Sequence, residues 1–301
     1  MRFNVDFVGK RRAFIFLSIL LILISIVLFF VKGFNLGIDF TGGTEVSILV
    51  PDINFSVADM RSELSAEDPI FGSARIIKQK PLTGETGEAE KARFSIVVNT
   101  ESDEELADTI LKALADKGVV ASDMLSVNKI SGFAAQEIKG YAWTAVVIAV
   151  ALILLYITIR FQFSFGVGAI IALVHDLLIT LGFFSIFGME INAPVIAALL
   201  TLLGYSLNDT IVVYDRVREN MRKMGGKTIA EIVNKSINDV IVRSLNTSLT
   251  TFLAVLTLFI FSGEVLRPFA FGILIGVVVG TYSSLYIAAP VVIGWLERKK
   301  R

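Results

Sequence analysis

The chain has 301 residues, 54% of them hydrophobic, with 28 basic and 28 acidic side chains and a mean hydropathy of +0.71. That is too apolar for an ordinary soluble protein, and the zero net charge points to no class of partner. Cysteine is absent, which excludes disulfides, thiolate metal sites and a cysteine nucleophile; the single histidine, His175, excludes a multi-histidine metal site within the chain.

Residues 1–12 are basic, with Arg2, Lys10, Arg11 and Arg12. Ala13 to Val31 then carries no charge, and at 1.5 Å per residue it is long enough for a hydrocarbon core of ~30 Å. A signal peptide has a shorter apolar region and a small-residue cleavage site, so the run reads as a retained transmembrane helix. Residues 32–139 are long enough for a small domain. Thr44 to Val50 alternates as a strand, and Ser56 with Asp59 opens a helix toward Met60 and Leu64. Ala74 to Lys80 is strand-like, Thr83 to Gly87 is a turn-rich link, and Arg93 to Val98 is a strong strand. Ser102 and Glu105 form a capping-box pattern for a helix that Gly118 stops, and a last strand lies within Met124 to Ile130. The order βαββαβ is that of a ferredoxin-like α+β domain.

Five more apolar runs follow, at 141–159, 164–187, 191–214, 244–262 and 268–296. Six transmembrane helices put both termini on one side. Arg160, the basic residues of the loop 215–243 and the tail 297–301 place that side in the cytoplasm, and put residues 32–139 outside. Residues 229–241 are amphipathic, which fits either an interfacial helix or an ordinary connecting one.

Asp209, in the middle of the fourth run, is the most informative residue. A carboxylate at bilayer depth costs roughly 2.5–3.5 kcal/mol and survives where it faces a bundle interior and handles ions or substrate. Arg243 opens the next run as a counter-charge, although it also suits a fixed ion pair or snorkelling to headgroups. Thr201, Tyr205, Asn208 and Asp209 share one region of the fourth span. Arg243, Asn246, Thr247, Thr250 and Thr251 make a stripe on the fifth, and Asp176 and Thr180 lie one turn apart on the third. Lipid is the worst neighbour for such stripes, so a shared polar interior is expected. His175 and Asp176 point 100° apart on a helix, which suggests that one relays and the other packs. Ser206 and His175 are the minimum for an intramembrane serine protease, but the second glycine of a nucleophile elbow is missing. Gly272, Gly276 and Gly280 mark a face for close helix packing.

Four motifs together carry a resemblance that runs from the first helix to the last. Gly37-Ile38-Asp39-Phe40-Thr41-Gly42-Gly43-Thr44 resembles the segment that leads into the external domain of the SecF family. Leu173-Val174-His175-Asp176, the stretch from Gly204 to Asn220, and Arg243 to Thr251 are similar to further motifs of that family. Ser244 stands where a threonine is expected, which keeps the hydroxyl. The resemblance implies a non-enzymatic subunit in the bacterial or archaeal cytoplasmic membrane, paired with SecD in an RND-like unit. The SecYEG channel is an implied neighbour, with YajC and YidC as further candidates, and nucleic acid is not. It implies a proton or sodium motive force that promotes preprotein export, with ion coupling at Asp209 and Arg243 and no resident cofactor or metal. His175, Asp176, Thr180, Tyr205, Asn208, Asn246, Thr247 and Thr250 are then candidates for a relay or polar interior, and Gly37, Asp39, Gly42 and Gly43 for a hinge. Half of an RND-type lipid or small-molecule exporter and a passive assembly scaffold are the competing readings.

Overall fold

The computed structural model describes residues 5–79, 91–100, 104–263 and 265–300. Helix α1 (Arg11–Val31) leads to a two-residue strand β1 (Asn35–Leu36), a one-turn helix α2 (Ile38–Thr41), β2 (Gly43–Val50), α3 (Val57–Glu67), β3 (Arg75–Gln79), β4 (Ala92–Val98), α4 (Glu104–Ala113) and β5 (Met124–Ile130). The long helices α5 (Gly132–Arg160) and α6 (Phe163–Phe187) follow, then a short β6 (Glu190–Ile191), α7 (Ala193–Lys223), α8 (Ile229–Phe261) and α9 (Arg267–Ser283). A π-helical segment, Ser284–Ala288, joins α9 to α10 (Ala289–Lys300). The chain divides into a helical unit, residues 1–35 with 142–301, and a sheet unit, residues 36–141.

In the sheet unit the strand order is β3-β4-β2-β5, with every neighbouring pair antiparallel. The period of two sends Val46, Ile48 and Val50 of β2 to one face, opposite Ile96, Phe94 and Ala92 of β4. Met60 and Leu64 of α3 and Leu106 and Ile110 of α4 complete that core. Ser56 caps α3 as its spacing predicts: its Oγ accepts the Asp59 N–H at 3.1 Å, while Asp59 accepts the Ser56 N–H at 2.9 Å. Gly118 takes the left-handed conformation at φ 74° after the turn that follows α4. The expected link at residues 83–87 and the Ser102 cap lie outside the described residues.

In the helical unit, six helices among the described residues are long and apolar enough to cross a membrane. Half of the third and fourth and two-thirds of the sixth is buried, whereas the first, second and fifth are mostly exposed. The interior is therefore built by α6, α7 and the α9–α10 helix. Gly276 and Gly280 allow its closest approach: a Cβ on Gly276 would lie 2.4 Å from Leu202 Cδ1, and one on Gly280 would lie 3.0 Å from Ser206 Cβ.

Several boundaries differ from expectation. The second span is part of a helix that begins at Gly132, not near residue 141. The expected loop 215–243 is almost all helix: α7 continues to Lys223, and the amphipathic residues from 229 belong to the same helix as the fifth span. Charge ends an apolar run but not a helix. Here Arg216 pairs with Asp239 at 2.7 Å and with Glu219 at 2.7 Å, and Thr228 caps α8 with Glu231. Two asparagines one turn apart on α8 also hold the chain before α1. Asn238 Oδ1 accepts the Val5 N–H and Asn234 Oδ1 the Phe7 N–H, each at 2.8 Å. The sixth span, expected as one regular helix, is interrupted by the π segment.

Phe94 is fully buried in the sheet unit, and its truncation to alanine is expected to destabilise that unit by about 3–5 kcal/mol. Hydrogen exchange on the full chain in lipid should show amides of β2 and β4 opening about a hundredfold more often or beyond, with those of α6 and α7 unchanged. Uniform change across both units would contradict the division.

Candidate functional site

The core of the helical unit contains a carboxylate with no exposure at all, Asp176 on α6. Helix α6 runs between apolar neighbours, and small residues such as Ala169 and Ala172 let it sit deep. Asp176 Oδ2 accepts hydrogen bonds from Ser206 Oγ of α7 at 2.6 Å and from Ser283 Oγ of α9 at 2.8 Å. Its Oδ1 lies 2.9 Å from Nδ1 of His175. The other ring nitrogen, Nε2, lies 3.1 Å from Ser18 Oγ on α1. Four helices therefore meet through one carboxylate and its neighbour. A carboxylate out of reach of water keeps its place when every lone pair that faces protein finds a donor.

His175 and Asp176, expected to point 100° apart with one as relay and one as packing, bond each other instead. Their Cβ directions diverge, but the imidazole is long enough to swing back onto the adjacent carboxylate. The arrangement also places Ser206 on Asp176 rather than on His175, so no Ser206–His175 dyad is formed.

Asp209, three residues beyond Ser206 on α7, is also buried, at 2% exposure. Its Oδ2 is 3.5 Å from Ser248 Oγ of α8, the outer limit of a hydrogen bond, and Ser248 is 2.6 Å from Thr281 Oγ1 of α9. Arg243 is exposed and makes no ion pair with Asp209 among the described residues; its charge reaches the carboxylate only across a gap. A tight pair between them is not what holds α7 to α8.

The stripe expected on α8 faces elsewhere. Ser244 and Ser248 are buried, while Arg243, Asn246, Thr247 and Thr250 are exposed. The Thr247 and Thr250 hydroxyls donate to carbonyls of their own helix, to Ser244 O and Thr247 O at 2.9 Å each. On α7 Thr201 and Asn208 are exposed and Tyr205 is half-buried. The polar set is thus divided. One part, with Asp176 and Asp209, lies inside this chain, and the other opens outward from α7 and α8. Thr180 is fully buried, with no partner for its hydroxyl among the described residues.

In the sheet unit, Gly37 precedes the one-turn helix that contains Asp39. Gly42 and Gly43 have φ of 70° and 110°. A Cβ on Gly43 would sit 2.5 Å from Val98 O, and one on Gly42 would sit 3.1 Å from the Gly132 Cα. Both positive φ and close approach demand glycine here.

Ser18, Ser248, Thr281, Tyr282 and Ser283 escaped the sequence reading. The one available signal was a serine in an otherwise apolar run, which more often bonds its own backbone.

Two family patterns match this chain. Protein export membrane protein SecD/SecF, C-terminal, covers residues 109–298, and the SecD/SecF GG motif covers residues 27–50. A protein translocase subunit SecF from Petrotoga mobilis is 52% identical over 99% of this chain and 98% of its own length. A protein translocase subunit SecDF from Thermus thermophilus is 38% identical over 99% of this chain, which spans only 39% of that longer protein. The crystal structure of a Thermus SecDF, described as a translocon-associated membrane protein, superposes with a TM-score of 0.86 at 36% identity, over 99% of this chain and 39% of that one.

The two hydroxyls on Asp176 give a stability test. Ser206→Ala or Ser283→Ala alone leaves one donor on Oδ2 and is expected to cost about 1–3 kcal/mol. The double variant strips that oxygen of both donors, so its loss should exceed the sum of the two, read as thermal unfolding of the purified chain. Small, additive losses would show that the carboxylate does not depend on them.

Proposed function

The chain belongs to the SecD/SecF family as a SecF-type subunit of the protein translocase accessory complex, and from that premise we propose that it couples an ion gradient to preprotein export through Asp209. The observation that carries this reading is a carboxylate buried at mid-helix with, among the described residues, one hydroxyl at the limit of hydrogen bonding and no ion pair. A carboxylate held only for structure would be tied down by several donors. Asp209 is instead left short of partners, so that neutralisation by a proton, or compensation by a sodium ion, changes its energy most.

One charge that crosses 100 mV releases ~2.3 kcal/mol. The proposed cycle uses it at the contact of α7 with α8 and α9. With Asp209 charged, Ser248 and Thr281 turn toward it and Arg243 is drawn to the same side. With Asp209 neutral, that pull is gone and the helices repack into a second arrangement.

The finer features of the fold are read in the same way. The βαββαβ order and the β3-β4-β2-β5 sheet support a ferredoxin-like domain, proposed to lie outside the membrane. The six apolar helices support six spans, with basic residues favouring a cytoplasmic position for both ends. SecD is the proposed occupant of the outward polar face on α7 and α8: fusion of the two subunits in relatives supports the pairing, and Arg243, Asn208 and Asn246 need a polar neighbour at that depth. SecYEG, YajC and YidC are proposed neighbours on the strength of the family alone.

Asp209→Asn keeps the shape and removes the titratable charge. In vesicles with SecD and the Sec channel, it is expected to abolish stimulation of export by an imposed gradient while gradient-independent export continues. Full stimulation by the Asn form at equal expression would refute coupling through this residue. Arg243→Lys should keep part of the stimulation and Arg243→Leu should lose it, because a guanidinium and an ammonium differ in reach and geometry.

Orientation is open to labelling, since the chain has no native cysteine. Ala66→Cys, on the exposed side of α3, should react with an impermeant thiol reagent on spheroplasts, and Lys227→Cys should react only after permeabilisation. The opposite pattern would overturn the topology.

A further inference from the structure

A line of hydrogen bonds leads away from the His175–Asp176 pair, and its direction can be worked out by counting protons. Tyr282 Oη lies 2.7 Å from the carbonyl oxygen of Phe14. A carbonyl has no proton to give, so the one phenolic proton of Tyr282 must lie between them. Tyr282 Oη is also 2.8 Å from Ser18 Oγ. With its own proton spent, Tyr282 can only accept there, so Ser18 donates to it. Ser18 Oγ is 3.1 Å from His175 Nε2. The single hydroxyl proton of Ser18 is now committed as well, so Ser18 accepts and Nε2 carries a proton.

That assignment leaves Nδ1 to be decided. A neutral imidazole protonated on Nε2 has a bare Nδ1, and a bare nitrogen 2.9 Å from a bare carboxylate oxygen is repulsive. One more proton must therefore lie between Nδ1 and Asp176 Oδ1. Oδ2 does not compete for it, because it accepts from Ser206 and Ser283.

We infer that His175 and Asp176 together form a proton-binding site distinct from Asp209, which holds one proton shared between Nδ1 and Oδ1, in a pair whose net charge is zero. Neutrality fits the place: the two side chains are 3% and 0% exposed, and a net charge there would have no solvent to stabilise it. The site is closed on the α1 side, because the line ends on the Phe14 carbonyl, which accepts a hydrogen bond and cannot hand a proton on. On the other side, Oδ2 bonds Ser206, which lies three residues before Asp209 on the same helix.

His175 is the only histidine in the chain, so one residue supplies the whole signal. The full-length chain would be labelled with nitrogen-15 histidine, assembled with unlabelled SecD in lipid bilayers, and read by solid-state NMR at neutral pH. The expected spectrum has a protonated Nε2 and a strongly downfield proton bridging Nδ1, and the bridging proton is lost in Asp176→Asn. A neutral ring with Nδ1 protonated and Nε2 bare would overturn the inference, and the unmodified chain alone decides this if the Asn form fails to assemble. The readout does not involve Asp209, so it stands or falls separately from the gradient-coupling reading.

Discussion

Lipid supplies no hydrogen-bond donors, and the helical unit is organised around that constraint. Asp176 can exist at the centre of the bundle only because Ser206 and Ser283 point their hydroxyls at it and His175 leans back onto it. Each of the two serines requires its helix to be in register with α6. The α9–α10 helix meets the requirement where it stops being a regular α-helix: Ser283 is its last α-helical residue before the π segment. Behind that break the Ala288 carbonyl accepts from the Tyr214 hydroxyl at 3.3 Å. Gly168 leaves room for this bond, since a Cβ there would lie 2.6 Å from the Tyr214 oxygen. The packing of glycines on α9 against Leu202 and Ser206 brings the same helix close enough for Ser283 to reach.

The two buried carboxylates are treated in opposite ways. Asp176 is saturated by Ser206 and Ser283 from other helices and by His175 from its own, whereas among the described residues Asp209 has a single distant hydroxyl. A saturated carboxylate changes its protonation only if several helices rearrange together. An under-satisfied one can change it with a small local shift. This difference, more than the presence of an aspartate in an apolar run, distinguishes the two sites, and it is what supports the proposed coupling at Asp209.

Much of this was legible in the residues. The apolar runs stand out because each must match the same hydrocarbon thickness, and Asp209, His175 and Asp176 stand out because each interrupts one. The strand alternation at Val46, Ile48 and Val50 and the Ser56–Asp59 cap are local rules with local causes. The helix ends were not legible, since hydropathy reports only where an apolar run stops while α7 and α8 continue past that point on ion pairs and caps. Nor was the inward face of α8. Helical spacing groups Arg243 with Asn246, Thr247 and Thr250 and also groups Ser244 with Ser248. Which group turns in depends on what α7 and α9 present, and no periodicity contains that.

The division of polar residues between inside and outside follows from what each can do alone. Thr247 and Thr250 return their hydroxyls to carbonyls of their own turn and tolerate an apolar neighbour. Arg243, Asn208 and Asn246 are exposed and have more donors than one helix turn can absorb. A chain that ended its membrane life alone would bury them or lack them. Their position on the open side of α7 and α8, next to but not touching the buried Asp209, fits the proposed coupling at Asp209, with counter-charges completed across an interface. The longer relative named SecDF, of which this chain spans 39%, supports SecD as the partner across it.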